Sequence, residues 1–187
     1  SRSAMKRVVR VFNSKAAAEN VDVDFWLKRP VRQRMTAVET LRNFLHEPAE
    51  EWRECLSSLN AKRVRYLVIG AHALAAHGAP CYTADLDVWV EPTNANAEKV
   101  IITLRAFGFG ALKGLTADDF VDLDKVMLGV PPMRIDLLTS ISGVKFATAW
   151  KRRVRTKLGG VTVNVLSVAD LRANKLAAGR SKDLADA

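Results

Sequence analysis

Two aspartates stand one residue apart in Thr83-Ala84-Asp85-Leu86-Asp87-Val88-Trp89-Val90. The apolar residues around them predict a strand, whose side chains alternate between faces. Asp85 and Asp87 are then expected on one face, with Leu86 and Val88 on the other. Carboxylates held that close repel unless a cation sits between them, and a divalent metal ion is the usual partner. A third acid, Asp136, interrupts the apolar run Met133-Arg134-Ile135-Asp136-Leu137-Leu138. If that strand lies beside the first, three carboxylates converge as a ligand set for two Mg2+ ions, with Mn2+ as an alternative. Such a pair of ions orients a triphosphate and activates an attacking hydroxyl, which points to metal-dependent phosphoryl or nucleotidyl transfer. The structural alternative is an ion pair between Arg134 and Asp136.

Ahead of the acids, Leu67-Val68-Ile69-Gly70-Ala71-His72 reads as a buried strand running into a small-residue turn and a short helix. Small residues there let a phosphate approach the backbone at a helix N-terminus, although helix–strand packing asks for glycine equally. His72 and His77 flank this short helix and are expected to be hydrogen-bonded structural residues. Trp89 and Trp150 read as core or edge packing, with stacking on a base as the alternative.

The elements that must position these residues follow from periodicity and punctuation. Residues 1–46 read as a basic N-terminal extension carrying a helix, in which residues 1–4 look like a non-native remnant before Met5. Residues 7–12 are a candidate strand. Thr36 with Glu39 three residues later has the pattern of a capping box opening a helix to about His46. Pro48 then starts a second helix through Trp52, Cys55, Leu56 and Leu59. From 47 to 187 the chain reads as one α/β (α+β) domain. Strands are expected over 64–69, 86–90, 125–128, 133–138 and 161–166, and helices over 71–76, 94–107 and 144–150. Ser167 is expected to cap a last helix through Leu171 and Leu176. The short connection at Pro131 implies a mixed sheet, because parallel neighbours need a longer crossover.

The chain has 187 residues and a formal net charge of +9, with basic clusters at 5–10, 28–34, 62–65 and 151–157. That length suits one well-packed domain. The charge suits a polyanion such as RNA or a nucleoside triphosphate. Two cysteines, Cys55 and Cys81, make no CxxC pair, so neither structural zinc nor a disulfide framework is expected and a cytoplasmic setting is the default. No apolar run approaches the roughly twenty residues that span a bilayer, so no membrane partner is expected.

A glycine turn, Asp-x-Asp among apolar residues, and a distant single Asp on a strand together resemble the DNA polymerase β-type nucleotidyltransferase superfamily. Residues 70–78 followed by Thr83-Ala84-Asp85-Leu86-Asp87 are similar to the AbiEii-like and minimal nucleotidyltransferase group of toxin–antitoxin systems. The C-terminal run from Leu166 to Asp186 resembles the same group, and the likeness covers about residues 60–187. It implies a mixed central sheet flanked by helices, and transfer of a nucleoside monophosphate from an NTP such as ATP, with release of pyrophosphate. It implies that Asp85 and Asp87 hold both metal ions, and that Asp136 completes the second metal site and takes the acceptor's proton. Gly70, Ala71 and Thr83 are implied beside the phosphates, as is Lys175, which would otherwise be a solvated helix lysine. Arg180, Lys182 and Asp183 are motif residues with a structural or substrate-facing role. Relatives usually carry a second glycine where Ala71 stands, and often arginine where Cys81 stands. The acceptor implied is RNA, with tRNA foremost, or a cognate protein. A lincosamide-type antibiotic as acceptor, or a catalytically degenerate binding module or antitoxin, are the alternatives.

Overall fold

The structure is a computed structural model that describes residues 5–14, 18, 25–44, 50–79, 83, 85–112, 114–130 and 133–179, with backbone alone for 38–44 and 111. Its strands are β1 (Val9–Phe12), β2 (Tyr66–Val68), β3 (Asp85–Val90), β4 (Lys125–Val130), β5 (Met133–Leu138), β6 (Val154–Leu158) and β7 (Val161–Val165). Its helices are α1 (Val31–Phe44), α2 (Glu50–Ala61), α3 (Gly70–Ala76), α4 (Asn94–Ala106), α5 (Ala117–Asp122), α6 (Phe146–Arg152) and α7 (Val168–Ala178). The described strands form one sheet in the order β1-β4-β5-β3-β2-β7-β6. Two neighbouring pairs, β3–β5 and β2–β7, are parallel and the rest antiparallel. The mixed sheet that the connection at Pro131 demands is therefore present.

One face of the sheet is apolar because alternate residues of the central strands are. Leu86, Val88 and Val90 share it with Ile135 and Leu137, and all are buried in a single core with Trp52, Leu56 and Leu59 of α2 and Val100 and Leu104 of α4. Burying each such side chain contributes about 1.5–3 kcal/mol, so the strands are fixed with this face inward. A one-residue slip would turn every one of them outward. The opposite face then receives Asp85, Asp87 and Trp89. Phe146 of α6 meets the Trp89 ring edge-on at 5.0 Å, and the Trp89 indole N–H donates to the Thr139 carbonyl at 3.1 Å.

One expectation about caps is corrected. Thr36 lies inside α1, where its hydroxyl donates to the Arg32 carbonyl at 3.1 Å. The helix opens at Val31, with the Pro30 carbonyl accepting from the backbone of Gln33 and Arg34. A proline before the first turn loses no helical donor, so the earlier start costs nothing. A capping box does form at Thr116–Asp119, at the head of the short helix α5, an element not among those expected. Asp119 Oδ2 accepts from the Thr116 hydroxyl at 2.6 Å and from its backbone at 3.0 Å, which holds the Asp119 carboxyl below its usual range. β6 is a further strand beyond those expected.

Other boundaries agree with the sequence. α2 buries Trp52, Cys55, Leu56 and Leu59 as expected. Ser167 caps α7, accepting from the backbone of Asp170 at 3.2 Å. The candidate strand near the N-terminus is β1, paired antiparallel to β4. Pro48, Cys81, Arg180, Lys182 and Asp183 lie outside the described residues. No described helix is long and apolar enough to cross a membrane.

Candidate active site

The parallel pairing of β3 with β5 sets Asp87 directly opposite Asp136, and Asp85 opposite Arg134. Paired residues in a sheet point the same way, so Asp85, Asp87, Arg134 and Asp136 share the face away from α2 and α4. The three carboxylates thus meet on adjacent strands. The Arg134 pairing that the sequence offered as an alternative is there as well.

Arg134, itself 3 % exposed, donates through Nη2 to Asp85 Oδ2 at 2.5 Å and to Asp136 Oδ2 at 3.0 Å. Its Nε lies 2.8 Å from Asp136 Oδ1. Lys125, at the start of β4 and diagonal to Asp136 in the register, places Nζ 2.6 Å from Asp136 Oδ2. Asp136 is 1 % exposed, and a carboxylate so deep would be costly without such partners. Lys125 gave no signal in the sequence, because only the β4–β5 hairpin brings it to Asp136. Arg10 of β1 lies on the same face, paired with Met127; its buried Nη1 has no hydrogen-bond partner among the described residues.

Gly70 explains how the turn after β2 reaches the acids. Its φ is +63°, a region that side chains avoid, and a Cβ there would overlap the Asp87 carboxylate. The Ile69 N–H donates to the Asp87 carbonyl at 3.0 Å, which holds the turn against β3. Gly70 is therefore where it is because nothing larger fits between the turn and Asp87. Ala71 follows it in the first turn of α3. Thr83 sits before β3, its hydroxyl donating to the Asp85 carbonyl at 3.1 Å and accepting from the Asp85 N–H at 3.2 Å. Lys175 is buried, 8 % exposed, on α7, which packs against α3. The solvated-lysine alternative is excluded.

Of the two histidines expected to be hydrogen-bonded, His77 is, whereas the buried His72 Nε2 has no hydrogen-bond partner among the described residues. His72 packs edge-on against Trp52 at 5.1 Å, and burial holds its pKa down at about 4, so the ring is neutral. The His77 Nε2–H donates to the Leu166 carbonyl at 2.8 Å, tying α3 to the end of β7. Trp150 stacks on Phe146 and carries the guanidinium groups of Arg153 and Arg65 at 4.1 and 4.7 Å from its centroid.

Carboxylate oxygens are the donors that Mg2+ takes, and Asp85 and Asp87 present theirs from alternate positions of one strand. As the side chains stand, however, no three Asp, Glu, His or Cys residues among those described are disposed to hold an ion together. The reason is visible in the ion pairs: Arg134 lies between Asp85 and Asp136, and Lys125 covers Asp136. Asp85 is engaged by Arg134, and Asp136 by both Arg134 and Lys125, so an ion could be held here only if these pairs gave way.

No protein-family model matches the chain, and no curated protein matches it in sequence. Among solved structures, it is similar to the 1.87 Å crystal structure of a candidate nucleotidyltransferase from Thermotoga maritima. The TM-score is 0.50 over 75 % of this chain and 93 % of that one, at 13 % identity. That likeness, with the seven-stranded mixed sheet flanked by helices, gives the chain a nucleotidyltransferase fold.

Proposed function

We propose that this protein is a Mg2+-dependent nucleotidyltransferase that moves a nucleoside monophosphate from an NTP to a hydroxyl acceptor. The observation that carries the reading is the register placing Asp87 beside Asp136, with Asp85 on the same face and Gly70 against Asp87. Asp85 and Asp87, with Asp136 beside them, are the residues that would hold Mg2+, which when bound supplies Lewis-acid stabilisation of charge on the phosphates. Gly70 and Ala71, at the turn into α3, would stand beside the triphosphate, with Thr83 and Lys175 as its further contacts. In the reaction the acceptor oxygen attacks the α-phosphorus, the bond to the β-phosphate oxygen breaks, and pyrophosphate leaves. Asp136 takes the acceptor's proton.

RNA, with tRNA foremost, is the acceptor this reading favours over a cognate protein, within a toxin–antitoxin-like role. Its support is the far end of the acid face. Arg155 and Lys157 pair with Asn164 and Thr162, and the register across β7, β2 and β3 puts all four on the face of Asp85 and Asp87. Arg155 and Lys157 are exposed. A cleft of about 400 Å3 beside them is lined by Asn60, Arg153, Arg155 and Asn164. Cations aligned on one face attract a phosphate backbone.

A non-catalytic binding module is the second reading, and one observation favours it. Arg134 and Lys125 relieve the repulsion among the acids, so the cluster is tolerated without a metal. Thermal unfolding with Mg2+ and each of the four NTPs, for wild type and Asp87→Ala, separates the two. A donor present at a hundred times its Kd stabilises by about 2.7 kcal/mol, or roughly 5–10 °C for a chain of this size. The transferase reading expects that shift with at least one NTP, and its loss in Asp87→Ala. No shift with any NTP selects the binding module.

A further inference from the structure

Arg10 stands on β1, outside the span of about residues 60–187 that carries the sequence resemblance. The register aligns it in one row across the sheet: Arg10 with Met127, Met127 with Asp136, and Asp136 with Asp87. Paired residues point to one face, so Arg10 lies at the β1 end of the acid face, one strand beyond Asp136. Asp136 is nonetheless not its partner, because Lys125 and Arg134 already hold both carboxylate oxygens. No other acid among the described residues pairs with Arg10, and its buried Nη1 has no hydrogen-bond partner among them. Met127 beside it is buried and offers only a thioether. A guanidinium taken partly out of water without an anion is costly, and stability gives no reason for one here. Arg10 is part-buried rather than enclosed, so the group stays reachable from solvent.

We infer that Arg10 holds a phosphate group of the acceptor at the β1 end of the acid face, which makes that acceptor a nucleic acid rather than a protein. The inference rests on the transferase reading, in which Asp136 meets the acceptor hydroxyl, and deepens it. A guanidinium takes two phosphate oxygens at once, in a fork that matches its planar donors. Position decides which phosphate. The Gly70 turn follows β2 and packs on Asp87, so the donor's triphosphate belongs on the β2 side of the acids. Arg10 lies on the other side, past Asp136 and the strand β4. A phosphate there belongs to the molecule whose hydroxyl meets Asp136. In a polynucleotide the terminal hydroxyl and the nearest phosphate share one nucleotide, a reach comparable to the two strand spacings, about 10 Å, between β1 and β5. The hydroxyl of a protein side chain brings no phosphate and would leave Arg10 unpaired.

The test combines two readouts that a merely structural arginine would not give together. Thermal unfolding of the full chain is measured for wild type, Arg10→Met and Arg10→Lys, without ligand and with Mg2+ plus each NTP. Binding of unfractionated tRNA is followed by fluorescence anisotropy across a salt series. Arg10→Met is expected to have a Tm at or above that of wild type, since an unpaired, part-buried charge is gone. It is expected to keep the NTP-induced shift and to bind tRNA about tenfold more weakly. Its slope of log affinity against log salt should fall by about one. Arg10→Lys, which keeps the charge without the fork, should keep the slope while binding less tightly than wild type. A lower Tm in Arg10→Met overturns the inference, because it shows Arg10 paired in the free protein. Equal tRNA affinity and slope in wild type and Arg10→Met overturn it too, and leave the transferase reading intact with a protein acceptor. Loss of the NTP shift in Arg10→Met overturns it by assigning the residue to the donor. No NTP shift in wild type removes the transferase reading, and with it the acceptor on which the inference rests.

Discussion

Replacing Gly70 by alanine tests the claim that the turn after β2 is built around Asp87. Two costs arise and can be separated. The backbone at φ +63° costs a residue with a Cβ about 1–2 kcal/mol. The new methyl group also overlaps the Asp87 carboxylate, which must leave its rotamer at about 0.5–1.5 kcal/mol. Together they predict a loss of about 1.5–3.5 kcal/mol, or roughly 3–14 °C in Tm for a chain of this length. Gly78, just past the end of the same helix, supplies the control. Its φ is +87° and no atom lies within 4 Å of the place a methyl group would take, so Gly78→Ala carries the backbone cost alone. Urea unfolding of both variants, and of Gly70→Ala combined with Asp87→Ala, gives the coupling. In the Asp87→Ala background the Gly70 cost should fall to that of Gly78→Ala. If Gly70→Ala is no worse than Gly78→Ala, or if the cost is unchanged without the Asp87 carboxylate, the account of the turn is wrong.

Arg134→Met leaves Asp85 and Asp136 without the guanidinium that joins them; removing one partner of so buried a pair costs about 3–5 kcal/mol, read as a lower urea midpoint at unchanged slope. His72 gives the protein a pH dependence of known sign. Its folded pKa is about 4 against about 6.5 in an unfolded chain, so as the pH falls the unfolded state takes the proton first. The stability from His72 is complete above about pH 6.5 and is lost progressively down to about pH 4, by about 2–3 kcal/mol. His72→Phe, which keeps the ring against Trp52, should flatten that part of the stability profile; an unchanged slope would place its origin in other groups.

The cap signals show how far local pattern reaches. Thr36-x-x-Glu39 and Thr116-x-x-Asp119 are the same kind of pattern, yet only the second opens a helix. Thr36 falls in a helix already started at Val31, and nothing in four residues of sequence reveals a turn begun five residues earlier. β6 escapes notice for a different reason. Val154, Thr156 and Leu158 alternate with Arg155 and Lys157, a strand period hidden within a stretch dominated by its charge. As the edge of the sheet, β6 buries little, and its apolar residues are correspondingly weak markers.

The sequence by itself determined that Asp85 and Asp87 share a face, because a strand has a period of two whatever it packs against. It determined the apolar faces of α2 and β3 on the same footing, and the glycine after β2 marked a turn, although only the structure showed that Asp87 is what excludes a larger residue there. Which strands are neighbours was decided only by the tertiary structure. The sheet order, set by burying Leu86, Val88, Ile135 and Leu137 on one side, carried Asp136 from a separate segment to the flank of Asp87. The same order brought Lys125 and Arg134 among the acids. A lone lysine at the head of a strand gives no local sign of its partner, since charge pairing across strands depends on register, and register is fixed by the core on the opposite face.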